Sequence, residues 1–215
     1  MANIAALATM KGGSGKSTIA VCLAAHWKLQ GHDVAIIDAD PQRSVARWLG
    51  DSTCLDELIL ATANDDDIRE IVSNLLARNV DLIIIDTPGF RATVTEVAVT
   101  MADLCIIPVR PSPVDFEVAA DEVEIIAGLR QSGAKGPKAY RFLVSQFIQG
   151  SVISRHMRLE MQNAGYELFK SEIGHRVAYA ETALLGSTPS IEYPGSAAAK
   201  EITRLALEVE DILFS

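Results

Sequence analysis

This chain predicts an α/β fold, a mostly parallel twisted sheet with helices on both faces, and three observations carry that expectation. Short apolar runs recur along the 215 residues, separated by stretches of helical character. Runs such as Leu82-Ile83-Ile84-Ile85 do not alternate with polar residues, which suits strands covered on both sides. The first run opens through a glycine-rich turn directly onto a helical segment, the order of a βα unit.

Taken in order, a strand is expected at Ile4–Ala8, followed by the glycine turn and a helix over Ser17–Gln30. A second strand, Val34–Asp38, is stopped by Pro41, which has no amide hydrogen to continue a ladder. Further strands are read at Leu82–Asp86, Leu104–Val109 and Arg141–Ser145. Helices are read at about Asp66–Arg78, Val94–Met101, Asp115–Gln131, Ser151–Ala164 and Ala197–Leu213. Right-handed crossovers then place ligand beyond the carboxyl ends of the strands. There is no internal repeat, low-complexity tract or linker.

With 49% hydrophobic residues, residues 1–215 suffice for one domain with a substantial core, and a second full domain would not fit. The glycine turn starts near residue 11, leaving no room upstream for a helix-turn-helix or a signal peptide. No apolar run approaches the roughly 18 residues of a membrane span. Cys22, Cys54 and Cys105 are odd in number and widely spaced, so neither a disulfide framework nor a cysteine metal site is indicated, and a reducing cytoplasm is expected. The four histidines, His26, His32, His156 and His175, show no metal-ligand spacing. A net charge of −9 argues against a globally basic nucleic-acid binder. The charge is polarised, however: Asp51, Asp56, Glu57, Asp65, Asp66, Asp67 and Glu70 face only Arg69, whereas Lys135 to Arg176 is locally basic.

The glycine turn reads Lys11-Gly12-Gly13-Ser14-Gly15-Lys16-Ser17-Thr18. Glycines let backbone amides converge on phosphate oxygens, and the following helix turns its positive end toward the same anion. Lys16 is placed to neutralise the outer phosphates and Ser17 to ligate Mg²⁺. Met10 stands where the strict phosphate-loop pattern has its first glycine, and Lys11 is a second lysine that an ordinary loop lacks. In this the chain resembles the ParA/MinD family of deviant Walker A ATPases, most closely its small ParA, ParF-like group. The resemblance implies ATP and Mg²⁺ as cofactors and a homodimer formed on ATP binding, in which Lys11 reaches the partner's nucleotide.

Two strand ends carry acids suited to that chemistry. Val34-Ala35-Ile36-Ile37 runs into Asp38-Ala39-Asp40, and by resemblance Asp40 positions or polarises the attacking water while Asp38 orders the Mg²⁺ shell or the loop. Leu82-Ile83-Ile84-Ile85 runs into Asp86-Thr87-Pro88-Gly89, where Asp86 reads as an acid holding a Mg²⁺ water and Gly89 permits a backbone change at a switch. Pro108 to Asp115 resembles the family segment that lines the nucleotide and the dimer contact, and equally reads as a proline-rich turn capping a helix. Gln146 is the expected adenine contact, although relatives carry Asn or Thr followed by a basic residue where this chain has Ser145-Gln146.

Arg155 and Arg158 lie three apart on one helix face, and Arg176 follows in Ile173-Gly174-His175-Arg176. The resemblance implies that these residues bind DNA without sequence preference, placing the dimer on the nucleoid. There a small ParB-like or cargo-adaptor protein would stimulate hydrolysis and move plasmid, chromosome or protein cargo. A MinD-like membrane switch would need a basic amphipathic C-terminus, but Leu205–Ser215 contains Glu208, Glu210 and Asp211 and no Lys or Arg, so no membrane partner is expected. A metabolic ATP-dependent ligase of related fold is the remaining alternative.

Overall fold

Uninterrupted apolar runs form the interior of the sheet. The structure, a computed structural model, describes residues 2–50, 54–56, 58–64, 67–89, 92–131 and 136–214. Asp51, Glu57, Asp65, Asp66 and Lys135 lie outside the described residues. In chain order the elements are β1 (Asn3–Leu7), α1 (Lys16–Leu29), β2 (Val34–Asp38), α2 (Ser44–Gly50), β3 (Ile59–Thr62), α3 (Ile68–Ala77), β4 (Leu82–Asp86) and α4 (Thr93–Met101). They continue as β5 (Leu104–Val109), α5 (Pro113–Gln131), β6 (Ala139–Phe147), α6 (Val152–Asn163), β7 (Ile173–Gly174), α7 (Val177–Leu184), α8 (Pro189–Glu192) and α9 (Ala197–Leu213).

The strands make one seven-stranded sheet among the described residues, in the order β3-β2-β4-β1-β5-β6-β7, and every pairing is parallel. All residues of β2, β4 and β5 are buried, as strands with helices on both faces require. Successive side chains go to opposite faces. Leu7, Ile36, Ile84 and Ile106 pack with Leu23 of α1, Val45 of α2 and Ile202 of α9. Ala6, Ile37, Ile85 and Ile107 pack with Val72 of α3, Ala98 of α4, Ile126 of α5 and Met161 of α6.

Two strands and three helices are additions to the sequence reading. β3 pairs only with β2, at the sheet edge, and its residues are alternately half-buried and exposed, so it lacks the apolar run that marks the inner strands. β7 has two residues, too few to carry a pattern. Of the seven residues in α2 only Val45 is buried, and α7 leaves the apolar Val177 and Leu184 exposed, so neither helix announces its inner face.

β1 lies between β4 and β5, so the loop after it sits centrally at the carboxyl edge of the sheet. Asp86 stands opposite Leu7 on one side and Asp38 on the other. Register alone thus brings the ends of β1, β2 and β4 together.

Candidate functional site

The turn from β1 into α1 uses glycine where the backbone demands it. Gly13 and Gly15 have φ of 73° and 94°, the left-handed region that side chains disfavour. Gly15 caps α1, accepting Ile19 N at 2.9 Å, and Lys16 begins the helix. The loop amides and the positive helix end therefore share one place, as an anion site needs.

Lys16 is buried, and burial pulls its pKa down, opposed by the negative charges of Asp86, Asp40 and Glu122. Beside it the Ser17 hydroxyl donates to Asp86 Oδ2 at 2.6 Å. Burial pushes Asp86 up to about 7; the Ser17 hydrogen bond and Lys16 pull the other way, while Asp38 and Asp40 add repulsion. Asp86 Oδ1 is buried with no hydrogen-bond partner among the described residues. A buried carboxylate oxygen left open next to a serine hydroxyl fits a Mg²⁺ ion or one of its waters. Among the described residues no three His, Cys, Asp or Glu gather as a metal site.

Asp38 is fully buried, and its two oxygens accept Asp40 N at 3.2 Å and Ala46 N at 2.9 Å, fastening the turn between β2 and α2. Arg43, at φ 53°, closes the same turn by donating to Asp38 O at 2.7 Å. Asp40 is half-buried, and one of its carboxylate oxygens accepts Gln42 N at 2.8 Å. After β4, the Thr87 hydroxyl donates to Leu7 O at 2.8 Å. A Cβ on Gly89 would stand 3.1 Å from Thr9 O, so glycine lets this segment approach the phosphate loop closely.

Lys11 is half-buried at the head of the loop, and its side chain makes no hydrogen bond or ion pair among the described residues. Gln146, in the left-handed region at φ 53°, donates from Nε2 to Gly13 O at 2.6 Å. A cavity of about 300 Å³ opens beside Gly15 and Thr18, with aromatic surface from Trp48 and Tyr179 and polar groups from Gln146 and Arg176. Ser14 and Ser145 also line it, and each hydroxyl is buried without a hydrogen-bond partner among the described residues.

The three arginines occupy different surroundings. Arg155 is exposed on α6. Arg158, one turn on, is half-buried and pairs with Glu172 at 3.1 Å while donating to Phe169 O at 3.0 Å. Arg176 lies in the cavity wall, where Nε donates to the buried Glu201 at 3.0 Å; these hydrogen bonds and the carboxylate's charge raise the arginine's already high pKa against the effect of burial. In the segment after β5, Arg110 Nε and Nη2 donate to the two oxygens of Asp115 at 2.8 and 3.1 Å. Burial alone would raise the Asp115 carboxyl, but the guanidinium holds it below its ordinary value.

Sequence reasoning missed Glu122, Thr9, Arg43 and the aromatic cavity wall. Glu122 lies in the acid-rich stretch Asp121-Glu122-Val123-Glu124, where nothing local separates the buried acid from its exposed neighbours. Its only sequence mark is helical spacing from the buried Ala119 and Ile126.

Known proteins resemble this chain over most of its length. It is 27% identical over 209 residues to maintenance of carboxysome distribution protein A of Halothiobacillus neapolitanus, covering 95% of this chain and 94% of that protein. It is 26% identical over 182 residues to protein ParA of Rhizobium radiobacter, covering 82% and 80%. The crystal structure of the cell division ATPase MinD from Pyrococcus furiosus superposes with a TM-score of 0.79 at 19% identity, covering 99% of this chain and all of that one, a likeness of fold. The family model for ATPase MipZ matches residues 3–132, more than half of the chain, so this protein belongs to the MipZ group of ParA/MinD-type P-loop ATPases.

Proposed function

We propose that this chain is a single-domain, Mg²⁺-dependent ATPase that closes as a homodimer on ATP, binds DNA without sequence preference in that state and positions a cargo. The observation that carries the reading is the phosphate loop with two lysines. Lys16 is buried within the field of Asp86 and Asp40, whereas Lys11 stands half-buried at the loop's head, its side chain with no hydrogen bond or ion pair among the described residues. A lysine not needed by its own site is available to a neighbour's.

Amides of Gly12 to Lys16 and the α1 N-terminus bind the phosphates, and the Lys16 ammonium neutralises them. Ser17 and Asp86 hold Mg²⁺, which when bound neutralises charge on the outer phosphates. Asp38 fixes the turn that presents Asp40, and Asp40 orients the attacking water. Thr18, Gln146 and the cavity with its two open serine hydroxyls receive the rest of the nucleotide. Lys11 stabilises charge on the partner's nucleotide in trans.

Arg155 supplies the exposed DNA contact, with Arg158 and Arg176 contributing if nucleotide binding loosens their carboxylate pairs. α9 gives no support to a membrane partner: Glu208 accepts Lys170 N and Ser171 N at 2.7 Å, Glu210 accepts Trp27 Nε1 at 2.7 Å, and the exposed Asp211 adds negative charge. Relatives named for carboxysome distribution, for chromosome partitioning and as a virulence plasmid ParA family protein make a protein assembly, a chromosome and a plasmid the candidate cargoes, with an adaptor or ParB-like partner stimulating hydrolysis.

Co-sedimentation with linear DNA tests the reading. Retention is expected with Mg-ATP and not with ADP, falling steeply as salt rises. Equal retention with both nucleotides, or none with either, would remove the nucleoid-bound dimer.

A further inference from the structure

α5 buries one stripe, Asp115, Ala119, Glu122 and Ile126, of which Ala119 and Ile126 pack with apolar sheet residues such as Ile85 and Ile107. Glu122 is 2% exposed at a position where an apolar side chain would serve packing better. Taking a carboxylate out of water costs several kcal/mol unless strong hydrogen bonds offset it. The offset comes from the phosphate loop: Glu122 Oε1 accepts the Thr9 hydroxyl at 2.7 Å and Met10 N at 2.6 Å. The same Thr9 hydroxyl accepts Lys11 N at 3.4 Å. On its other side, Thr9 O lies against Gly89 of the segment after β4.

We propose that Glu122 is a positioning residue which, through Thr9 and Met10, fixes the backbone that aims Lys11. It holds three consecutive residues, Thr9, Met10 and Lys11, directly ahead of the glycines, where the chain would otherwise be free to pivot. A side chain as long as that of Lys11 magnifies any pivot of its backbone, so an acceptor on a rigid helix matters for where the ammonium arrives. This inference rests on the proposed role of Lys11 in hydrolysis.

The test measures Mg-ATP turnover on the whole chain for Glu122→Met, Thr9→Val, their double variant and Glu122→Gln. Glu122→Met keeps the volume and removes the acceptor, whereas Glu122→Gln keeps a carbonyl oxygen there. A fall of about tenfold in kcat is expected in each of the two removals, with KM for ATP changed less than about threefold, since the lost contact orients a group acting on the transition state. The double variant should lose no more than either single one, because both break the same chain of contacts. Glu122→Gln should return kcat to within about threefold of the parent. Amide exchange at Met10 and Lys11 should quicken in Glu122→Met and not in Glu122→Gln, a readout that does not depend on hydrolysis. Unchanged kcat in both removals overturns the proposal, as do losses that multiply or a Glu122→Gln variant as slow as Glu122→Met. If the parent and Lys16→Ala show the same background turnover, the ATPase reading fails, and this inference falls with it.

Discussion

On the proposed reading, Asp40 and Glu122 are acids with opposite duties. Asp40, the proposed water-orienting acid, stands half-buried just past the end of β2, with one oxygen engaged by Gln42 N. Asp40→Ala should leave ATP-driven dimers intact while lowering hydrolysis by about 10²-fold or more, the scale of a water-orienting group. Light scattering beside phosphate release checks this, and normal turnover would take Asp40 out of the catalytic role. Glu122, in contrast, is pushed from its ordinary 4.5 up to about 7, chiefly by burial; Met10 N, the Thr9 hydroxyl and Lys16 oppose the shift, and Asp115 adds to it. Cys105 of β5 faces it as well. The folded chain thus holds this proton more tightly than the unfolded chain. Its contribution to stability is full below about pH 4.5 and lost as pH rises through about 7. Against Glu122→Gln, which cannot titrate, the parent should lose on the order of 3 kcal/mol between pH 4.5 and pH 8. Urea melts across that range measure it, and parallel curves would show that Glu122 ionises in both states alike.

Elements here are set by packing where they are long and by single contacts where they end. β4 is buried throughout, sending Ile84 to one face and Ile85 to the other, so its burial pattern has no polar side. α9 closes the α1 face with Ile202, Leu205, Ala206 and Val209, and begins at Ser196, whose hydroxyl accepts Ala199 N at 3.1 Å. Ser196→Ala should therefore cost about 1 kcal/mol, the ordinary worth of a serine N-cap, without altering turnover. Denaturant midpoints at constant slope would report it. α5 shows how an element serves a site: its first turn is fastened by the Arg110–Asp115 pair, and seven residues on, Glu122 reaches back to the loop.

For the whole molecule, the claim open to direct measurement is that the site is completed by a second copy. Lys11→Ala should still bind ATP within about threefold, because Lys16 and the loop amides remain, but should stay monomeric with Mg-ATP where the parent dimerises. Multi-angle light scattering decides it, and a dimer of undiminished stability would return Lys11 to an ordinary surface lysine. Five strands, six helices and the placement of Asp38, Asp40 and Asp86 at or just past strand ends were legible in the sequence, because double-sided burial leaves uninterrupted apolar runs and strand ends leave abrupt polar steps. β3, β7, α2, α7 and α8 were not, since β3 and the short helices bury too little of themselves to impose a period and β7, though buried, is only two residues long. Nor could the chain order reveal that Arg158 and Arg176 spend their charge on Glu172 and Glu201, or that an acid on α5 meets Thr9 across 113 positions. By itself the sequence determined the parallel α/β sheet and the phosphate loop, because local spacing and burial pattern dictate both. Which charges are left open for a ligand, and which are already satisfied by another, only the tertiary structure decided, because pairing depends on distances that packing alone creates.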